Sequence, residues 1–211
     1  MAELLRTGVE VLDRKLDGGI PAGSTVALCA NPASQAELFL YELTATRGTL
    51  YLSLNRTESA VATGIERTQA RTGDPTIRDI TGDAPIENAG KLVTALPSSS
   101  NLIIDPIDVL ELDAAGDPPR FHNFMNTLQT HIANTGSLAV LHCLDGGAAP
   151  ELRSHTQHMV DIVFNLETER KGDQIENRLS IPKFRGGRAL TDVVKLDLAD
   201  EVAIDTSRDI A

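Results

Sequence analysis

Apolar and polar positions alternate over the first 167 residues in blocks typical of strands and helices. Short apolar runs predict buried strands at residues 25–30, 48–54, 101–105, 137–143 and 161–167. Apolar positions three and four apart predict helices at residues 34–46, 59–72 and 119–134, the second of them capped by Thr57 or Ser59. Strands that alternate with helices predict an α/β fold with a mainly parallel central sheet flanked by helices.

The pattern changes after Glu167. Two short β-type segments at residues 177–183 and 192–198 flank a Gly-Gly turn and predict a C-terminal antiparallel hairpin, and residues 202–205 are expected to add an edge strand. We expect one domain over residues 1–211. It consists of an opening segment (1–24), an α/β core (25–167) and a hairpin region with a tail (168–211).

The composition indicates where the protein is located and which state its two cysteines are in. No apolar run approaches the roughly 20 residues that a membrane-spanning helix needs, so we expect a cytoplasmic protein with no membrane partner. Cys29 and Cys143 each lie at the end of an apolar run, which indicates reduced core thiols rather than a disulfide.

The charge is strongly acidic. The formal net charge is −11, from 30 acidic and 19 basic residues, and only five of the basic residues are lysines. Such a composition resembles that of cytoplasmic proteins from high-salt organisms. It argues against sequence-independent binding of nucleic acid, which needs a basic surface. With 3% aromatic residues, the chain also has few side chains on which bases could stack.

The opening segment carries a family resemblance. The sequence from Arg6 to Ser24, R-T-G-V-E-V-L-D-R-K-L-D-G-G-I-P-A-G-S, is similar to the segment that precedes the first core strand in KaiC-like and RadA-like proteins. The resemblance implies a RecA-like ATPase domain. In that family the next strand leads into the phosphate-binding loop, or Walker A motif, G-x-x-x-x-G-K-[ST].

The corresponding loop of this chain is degenerate. It consists of Ala30, Asn31, Pro32, Ala33, Ser34, Gln35, Ala36 and Glu37. By position, Ala30 and Gln35 replace the glycines, Ala36 the lysine and Glu37 the magnesium-binding hydroxyl residue. The lysine supplies a cation to the phosphates, whereas Glu37 places a carboxylate there, so ATP and magnesium are not expected as cofactors. Weak nucleotide binding through the loop backbone stays an open alternative.

Two further family positions bear on catalysis. The resemblance places a pair of glutamates after the second core strand as the base that activates water, and here Asn55 and Arg56 replace them. Neither side chain is a useful base near neutral pH. Asp105 matches the family's magnesium-organising aspartate, although capping of the strand end is an equally good interpretation. If the fold holds, Glu37, Arg56 and Asp105 should converge, with one guanidinium bridging two carboxylates.

The hairpin contains a basic segment, I-P-K-F-R-G-G-R. It resembles the K-x-R-G hairpin of KaiC-like domains, whose basic residues reach the nucleotide of the next subunit. Lys183 and Arg185 match by position, and together with Arg188 they are a possible interface for an acidic partner. Two solvated charges beside a turn are the simpler alternative.

A zinc site is a weaker hypothesis. His142 and Cys143 end a strand, while His155 and His158 share a helix face, but their spacing matches no established zinc motif, so we expect no metal. The leading hypothesis is a non-catalytic family member, a pseudo-ATPase that regulates or assembles with a protein partner, either an active relative or a second copy. The alternatives are a divergent ATP-binding protein or ATPase and a DNA-associated accessory protein similar to RadA paralogues.

Overall fold

The structure is a computed structural model that describes residues 3–187 and 190–205. Its strands are β1 (Leu4–Leu5), β2 (Ile20–Pro21), β3 (Thr25–Ala30), β4 (Thr49–Ser53), β5 (Thr76–Asp79), β6 (Asn101–Asp105), β7 (Leu138–Leu144), β8 (Ile162–Lys171), β9 (Gln174–Phe184), β10 (Val194–Asp197) and β11 (Ala203–Ile204). Its helices are α1 (Glu10–Lys15), α2 (Glu37–Thr44), α3 (Glu58–Arg67), α4 (Pro85–Thr94), α5 (Asp108–Asp113), α6 (Pro118–Thr135) and α7 (Arg153–Met159).

A nine-stranded sheet organises the molecule, with the strand order β11-β10-β9-β8-β3-β7-β6-β4-β5. The strands from β8 to β5 in this order are parallel, and β9, β10 and β11 extend the sheet in antiparallel fashion. The fold class predicted from the sequence is therefore confirmed. The parallel strands β3, β6 and β7 end at the same edge of the sheet, which is where α/β proteins place their sites.

The core lies on both faces of this sheet because successive strand residues point to opposite sides. In β3, Val26 and Leu28 pack into one apolar cluster while Ala27 and Cys29 pack into the other. Helices α1, α2 and α3 contribute buried side chains to the first cluster, and α4, α5 and α6 to the second. Since both faces are covered, most residues of the central strands are apolar.

Several elements differ from the sequence expectation. β3 and β6 have the expected bounds, but α2 begins at Glu37 rather than at residue 34. The hairpin of β9 and β10 is present with Val194 opposite Leu179, and a longer hairpin that was not expected joins β8 to β9 through a turn at Gly172. Thr57 is the residue that caps α3, accepting a hydrogen bond from the Ala60 N–H.

No helix in the part of the chain that the structure describes has the length and apolarity needed to cross a membrane.

A buried carboxyl ties the C-terminal strands to α2. Glu42 lies in α2, is 5% exposed and accepts a hydrogen bond of 2.6 Å from the Val202 N–H. Burial raises the pKa of Glu42 to about 7, and the nearby negative charge of Glu201 acts in the same direction. The native state therefore retains a proton that the unfolded chain loses near pH 4.5, the ordinary value for this group.

We expect the Glu42→Gln variant to change how stability depends on pH. In the wild type, the contribution of Glu42 to the free energy of unfolding falls as the pH rises from 4.5 to about 7, because in this range unfolding releases the Glu42 proton. Glutamine still accepts the Val202 hydrogen bond but does not titrate. Urea unfolding at pH 5 and pH 8 should therefore show a smaller decline for the variant, and an equal decline would contradict this account.

Candidate functional site

The loop between β3 and α2 uses its own N–H groups. The Asn31 side-chain oxygen accepts from the Ala33 N–H at 2.8 Å, and the Asn31 carbonyl accepts from the Ser34 N–H at 2.9 Å. The Ser34 hydroxyl accepts from the Ala36 N–H at 3.3 Å. A phosphate-binding loop needs such N–H groups directed at the ligand. In this conformation, three of them are already bonded within the loop.

Arg56 joins the first residue of α2 to the end of β6. Its Nη1 lies 3.0 Å from Glu37 Oε1, and its Nη2 lies 2.6 Å from Asp105 Oδ2. The backbone of Arg56 is held by Ser53, whose hydroxyl donates to the Arg56 carbonyl at 2.7 Å and accepts from the Arg56 N–H at 3.3 Å. The structure thus brings together the three charged residues named from the sequence, with the guanidinium between the carboxylates.

Both tyrosines of the chain complete this cluster. Arg56 Nη1 lies 3.4 Å from the Tyr41 hydroxyl, and Nη2 lies 3.1 Å from the Tyr51 hydroxyl. Tyr41 donates to Glu37 at 3.4 Å, and Tyr51 donates to Asp105. Sequence reasoning missed both residues. The spacing of Tyr41 four positions after Glu37 on one helix was a usable signal, since such residues share a face.

His142, on β7, supplies another contact to Asp105. Its Nδ1 lies 2.7 Å from Asp105 Oδ1, and both side chains are buried. Its Nε2 is also buried, and no hydrogen-bond partner for it occurs within the described residues. The sequence marked His142 as a metal-ligand candidate, whereas the structure pairs it with the carboxylate.

These contacts control the protonation of the cluster. Burial alone would raise the pKa of Asp105. This effect is outweighed by the hydrogen bond and charge of His142, by the Tyr51 hydroxyl and by the charge of Arg56, which together lower the pKa to about 2. Burial acts to lower the pKa of Arg56, but the neighbouring Tyr51, Asp105 and Glu37 outweigh it and raise this pKa well above the ordinary value. Burial, reinforced by the charge of Asp105, raises the pKa of Tyr51. Asp105 is therefore ionised and Tyr51 neutral near pH 7.

A cavity of about 140 Å³ opens beside the ion pair. Its lining includes Asn31, Glu37, Arg56, Asp105 and His142, so it lies where the family resemblance places the phosphates and the metal. The charged groups of this lining include two carboxylates, those of Glu37 and Asp105, and one guanidinium, that of Arg56. Asn55 also lines the cavity, but it is exposed.

The residues considered for zinc do not converge. His155 lies on α7 beside His122 of α6, with 2.5 Å between Nδ1 and Nε2, while Cys143 is a buried free thiol opposite Cys29. Within residues 3–187 and 190–205, no group of three or more histidine, cysteine or acidic side chains is arranged to hold a metal ion.

The basic residues of the hairpin bond to the end of α7. Lys183 Nζ donates to the carbonyls of Gln157 at 2.8 Å and His158 at 2.7 Å, and Arg185 Nη2 donates to the His158 carbonyl at 3.2 Å. Cations at this position satisfy the carbonyls that a helix C-terminus leaves open. Lys183 and Arg185 thus have an intramolecular role. Arg188 lies outside the described residues.

A second buried ionic cluster packs against the end of β7, the strand that carries His142, and sequence reasoning missed it. Arg153 donates to Asp108 Oδ1 at 2.6 Å and to Glu111 Oε2 at 3.0 Å. Thr156 also donates to Glu111, and Arg153 donates to the Leu144 carbonyl at the end of β7. The cluster thereby fixes α5 and α7 against the strand that carries His142.

Comparisons with known proteins agree with this fold. A protein-family model described as "Family of unknown function (DUF7125)" matches residues 4–211 of the sequence. No curated protein matches the sequence. Among solved structures, the chain is similar to a KaiC-like protein from the hyperthermophilic archaeon Pyrococcus horikoshii OT3, with a TM-score of 0.78 and 14% identity over 97% of this chain and 100% of that one. The KaiC-like RecA fold is therefore confirmed.

Proposed function

The chain belongs to the DUF7125 family, and we propose that it is a non-catalytic RecA-fold protein, a pseudo-ATPase that acts as a regulatory or protein-interaction module. The observation that carries the proposal is the position of Arg56 between Glu37 and Asp105, at 3.0 Å and 2.6 Å. In the RecA-like ATPases that the chain resembles, the nucleotide phosphates and their metal occupy this place. Here a side chain of the protein supplies the positive charge.

The electrostatics of the loop also disfavour a nucleotide. Glu37 is the first residue of α2, where a carboxylate interacts favourably with the positive end of the helix dipole. In an ATPase the phosphates use that same end of the helix. A triphosphate entering this cavity would meet the two carboxylates of Glu37 and Asp105, which already share the guanidinium of Arg56, and three loop N–H groups that are already bonded. Binding would therefore require breaking internal contacts while bringing like charges together.

The positions that carry out hydrolysis in the family hold unsuitable side chains as well. The alignment implied by the resemblance puts Ala36 in the lysine position and Asn55 and Arg56 in the positions of the water-activating glutamates. Asp105 is retained, but Tyr51, Arg56 and His142 already contact its carboxylate oxygens. The retained aspartate is the one feature that favours the divergent ATPase. The DNA-associated alternative has less support, because Lys183 and Arg185 bond within the chain.

Phosphate release tests the non-catalytic part of the proposal. We expect the purified protein, incubated with ATP and magnesium in high-salt buffer, to release no phosphate above the protein-free background. The Asp105→Asn variant identifies contaminants, since release that persists in this variant does not depend on the site. Release by the wild type that is lost in the variant would establish a divergent ATPase.

The interaction part of the proposal concerns a protein partner in the cytoplasm, either an active family relative or a second copy of this chain. Cross-linking in the native cell followed by affinity purification and mass spectrometry identifies the partner. Light scattering of the purified protein detects self-assembly. A purified chain that is monomeric and cross-links to no protein in the cell contradicts an interaction role.

A further inference from the structure

The longest helix that the structure describes, α6, has an outer face without acidic or basic side chains. From residue 121 to its end at Thr135, the helix contains no aspartate, glutamate, lysine or arginine. Such residues make up 23% of the chain and ordinarily occupy exposed helix positions. The exposed residues of this stretch, which we call the α6 face, are Asn123, Asn126, Thr127, Thr130, Ala133 and Asn134.

A groove runs along the α6 face, between α6 and α4. It consists of two adjoining open cavities of about 430 and 390 Å³, and Thr127 lines both of them. α4 contributes Gly90 and Thr94 to the lining, and open space lies where a Cβ of Gly90 would be. The ion pair of Arg120 with Glu87 lines the end of the groove at the start of α6. The groove therefore has room for side chains of a molecule that packs on α6.

The charge of the chain bears on which molecule that is. The formal net charge is −11, so a basic partner is attracted to the acidic surfaces of the protein rather than to the α6 face. For a partner that is itself acidic, contact at the acidic surfaces is strongly unfavourable, because like charges would lie against each other. Two acidic molecules avoid this cost when they meet through an uncharged face. A second copy of this chain is such a molecule.

The hydrogen-bonding groups of the α6 face also favour a second copy. Two identical molecules related by a two-fold axis use the same patch on both sides, so the patch must be complementary to itself. A carboxylate only accepts hydrogen bonds and a guanidinium only donates them, whereas amides and hydroxyls do both. The polar side chains of the α6 face are amides and hydroxyls, those of Asn123, Asn126, Asn134, Thr127 and Thr130.

The spacing along α6 indicates how two copies would pair. Asn123, Thr127, Thr130 and Asn134 follow one another at intervals of four, three and four residues, so they lie in one line along the helix. These intervals are the same in either direction. Two antiparallel copies of α6, related by an axis between Thr127 and Thr130, therefore place Asn123 opposite Asn134 of the second copy and Thr127 opposite Thr130.

The hydrogen bonds within one chain agree with this pairing. The Thr127 hydroxyl donates to the Asn123 carbonyl at 2.9 Å, which leaves its oxygen as an acceptor. The Thr130 hydroxyl has no hydrogen-bond partner among the described residues, so its proton is available. Thr130 of one copy can thus donate to Thr127 of the other.

We propose that the α6 face is the interface of a homodimer in which the two α6 helices pack antiparallel. This inference rests on the proposed function, because it identifies the partner of the interaction module as a second copy and assigns the surface. The two fail separately. A monomeric chain overturns the dimer, whereas the interaction role is contradicted only if the chain also cross-links to no protein in the cell.

Sedimentation velocity in high-salt buffer over a range of protein concentrations tests the dimer. We expect a monomer–dimer equilibrium for the wild type. The Thr127→Glu, Thr130→Glu double variant opposes like charges across the axis, where burial leaves them little screened by salt, and should weaken the dimer at least about tenfold. The matched control is Ser59→Glu with Gln69→Glu, which adds two negative charges at exposed positions away from α6 and should leave the dimer unchanged.

The Thr127→Lys, Thr130→Glu double variant tests the antiparallel pairing. Each lysine then lies opposite a glutamate of the second copy, so the dimer should be at least as tight as that of the wild type. A wild type that is monomeric at every concentration overturns the proposal, and so does a Glu/Glu variant that dimerises as well as the control. A Lys/Glu variant as weak as the Glu/Glu variant contradicts the antiparallel pairing.

Discussion

The Arg153→Met variant is expected to lose about 3–5 kcal/mol of the free energy of unfolding, the usual cost of removing one partner from a buried ion pair. Arg153 is 6% exposed, and it lies between Asp108 and Glu111, which are 8% and 0% exposed. Without the guanidinium, two carboxylates stay buried next to each other with no counter-charge. Methionine retains much of the apolar volume, so the loss reports the charge rather than a cavity.

Urea unfolding at pH 7 measures this effect. The matched control is Arg14→Met, because Arg14 is an exposed arginine of α1, and we expect it to change stability by no more than about 0.5 kcal/mol. Adding Glu111→Gln and Asp108→Asn to Arg153→Met should recover part of the loss, since no buried charge is then left unpaired. Equal stabilities of the Arg153 and Arg14 variants would show that the cluster does not hold α5 and α7 in place.

The Asp105→Asn variant should lose about 2 kcal/mol at pH 7. The contacts of His142, Tyr51 and Arg56 lower the pKa of Asp105 from 3.8 to about 2, against the opposing effect of burial. At about 1.4 kcal/mol per pH unit, this shift corresponds to about 2 kcal/mol that the ionised carboxylate contributes to the folded state. Asparagine keeps the shape but supplies no charge to Arg56.

The same shift predicts a pH dependence. The folded-state pKa lies below the unfolded value, so the contribution is complete above about pH 4 and is lost as the pH falls through about 2. The stability difference between wild type and Asp105→Asn should therefore shrink by about half at pH 3. Asp83→Asn, at an exposed position, is the control with little expected effect. A difference that is unchanged at pH 3 would mean that the charge of Asp105 is not its source.

The sequence predicts the central part of this fold well and its periphery less well. β3 and β6 are recognisable because every residue in them is buried, so that an apolar run fills the interior of each strand. β5 has one buried residue, Ile77, and its pattern is too short to identify. The hairpin that joins β8 to β9 was not predicted, because its outer half is polar and exposed. Burial therefore leaves no periodic pattern in that part of the sequence.

The sequence likewise identified some residues of the candidate site and missed others. Glu37, Arg56 and Asp105 were identifiable because a family pattern assigns each a place at the same edge of the sheet. Tyr41 and Tyr51 were not, since an aromatic residue in an apolar strand or helix has the pattern of a core residue, and His142 was considered only as a zinc ligand. Arg153 and Glu111 were also missed, because they are far apart in the sequence and only the packing of α5 against α7 brings them together.

The central claim is that the internal ion pair of Arg56 takes the place of a nucleotide. Isothermal titration calorimetry with ATP and magnesium in high-salt buffer tests it most directly, with a KaiC-like protein that has an intact phosphate-binding loop as the positive control. The account predicts no saturable heat for this protein and a one-site isotherm for the control. A saturable isotherm for this protein that is lost in the Asp105→Asn variant would contradict it.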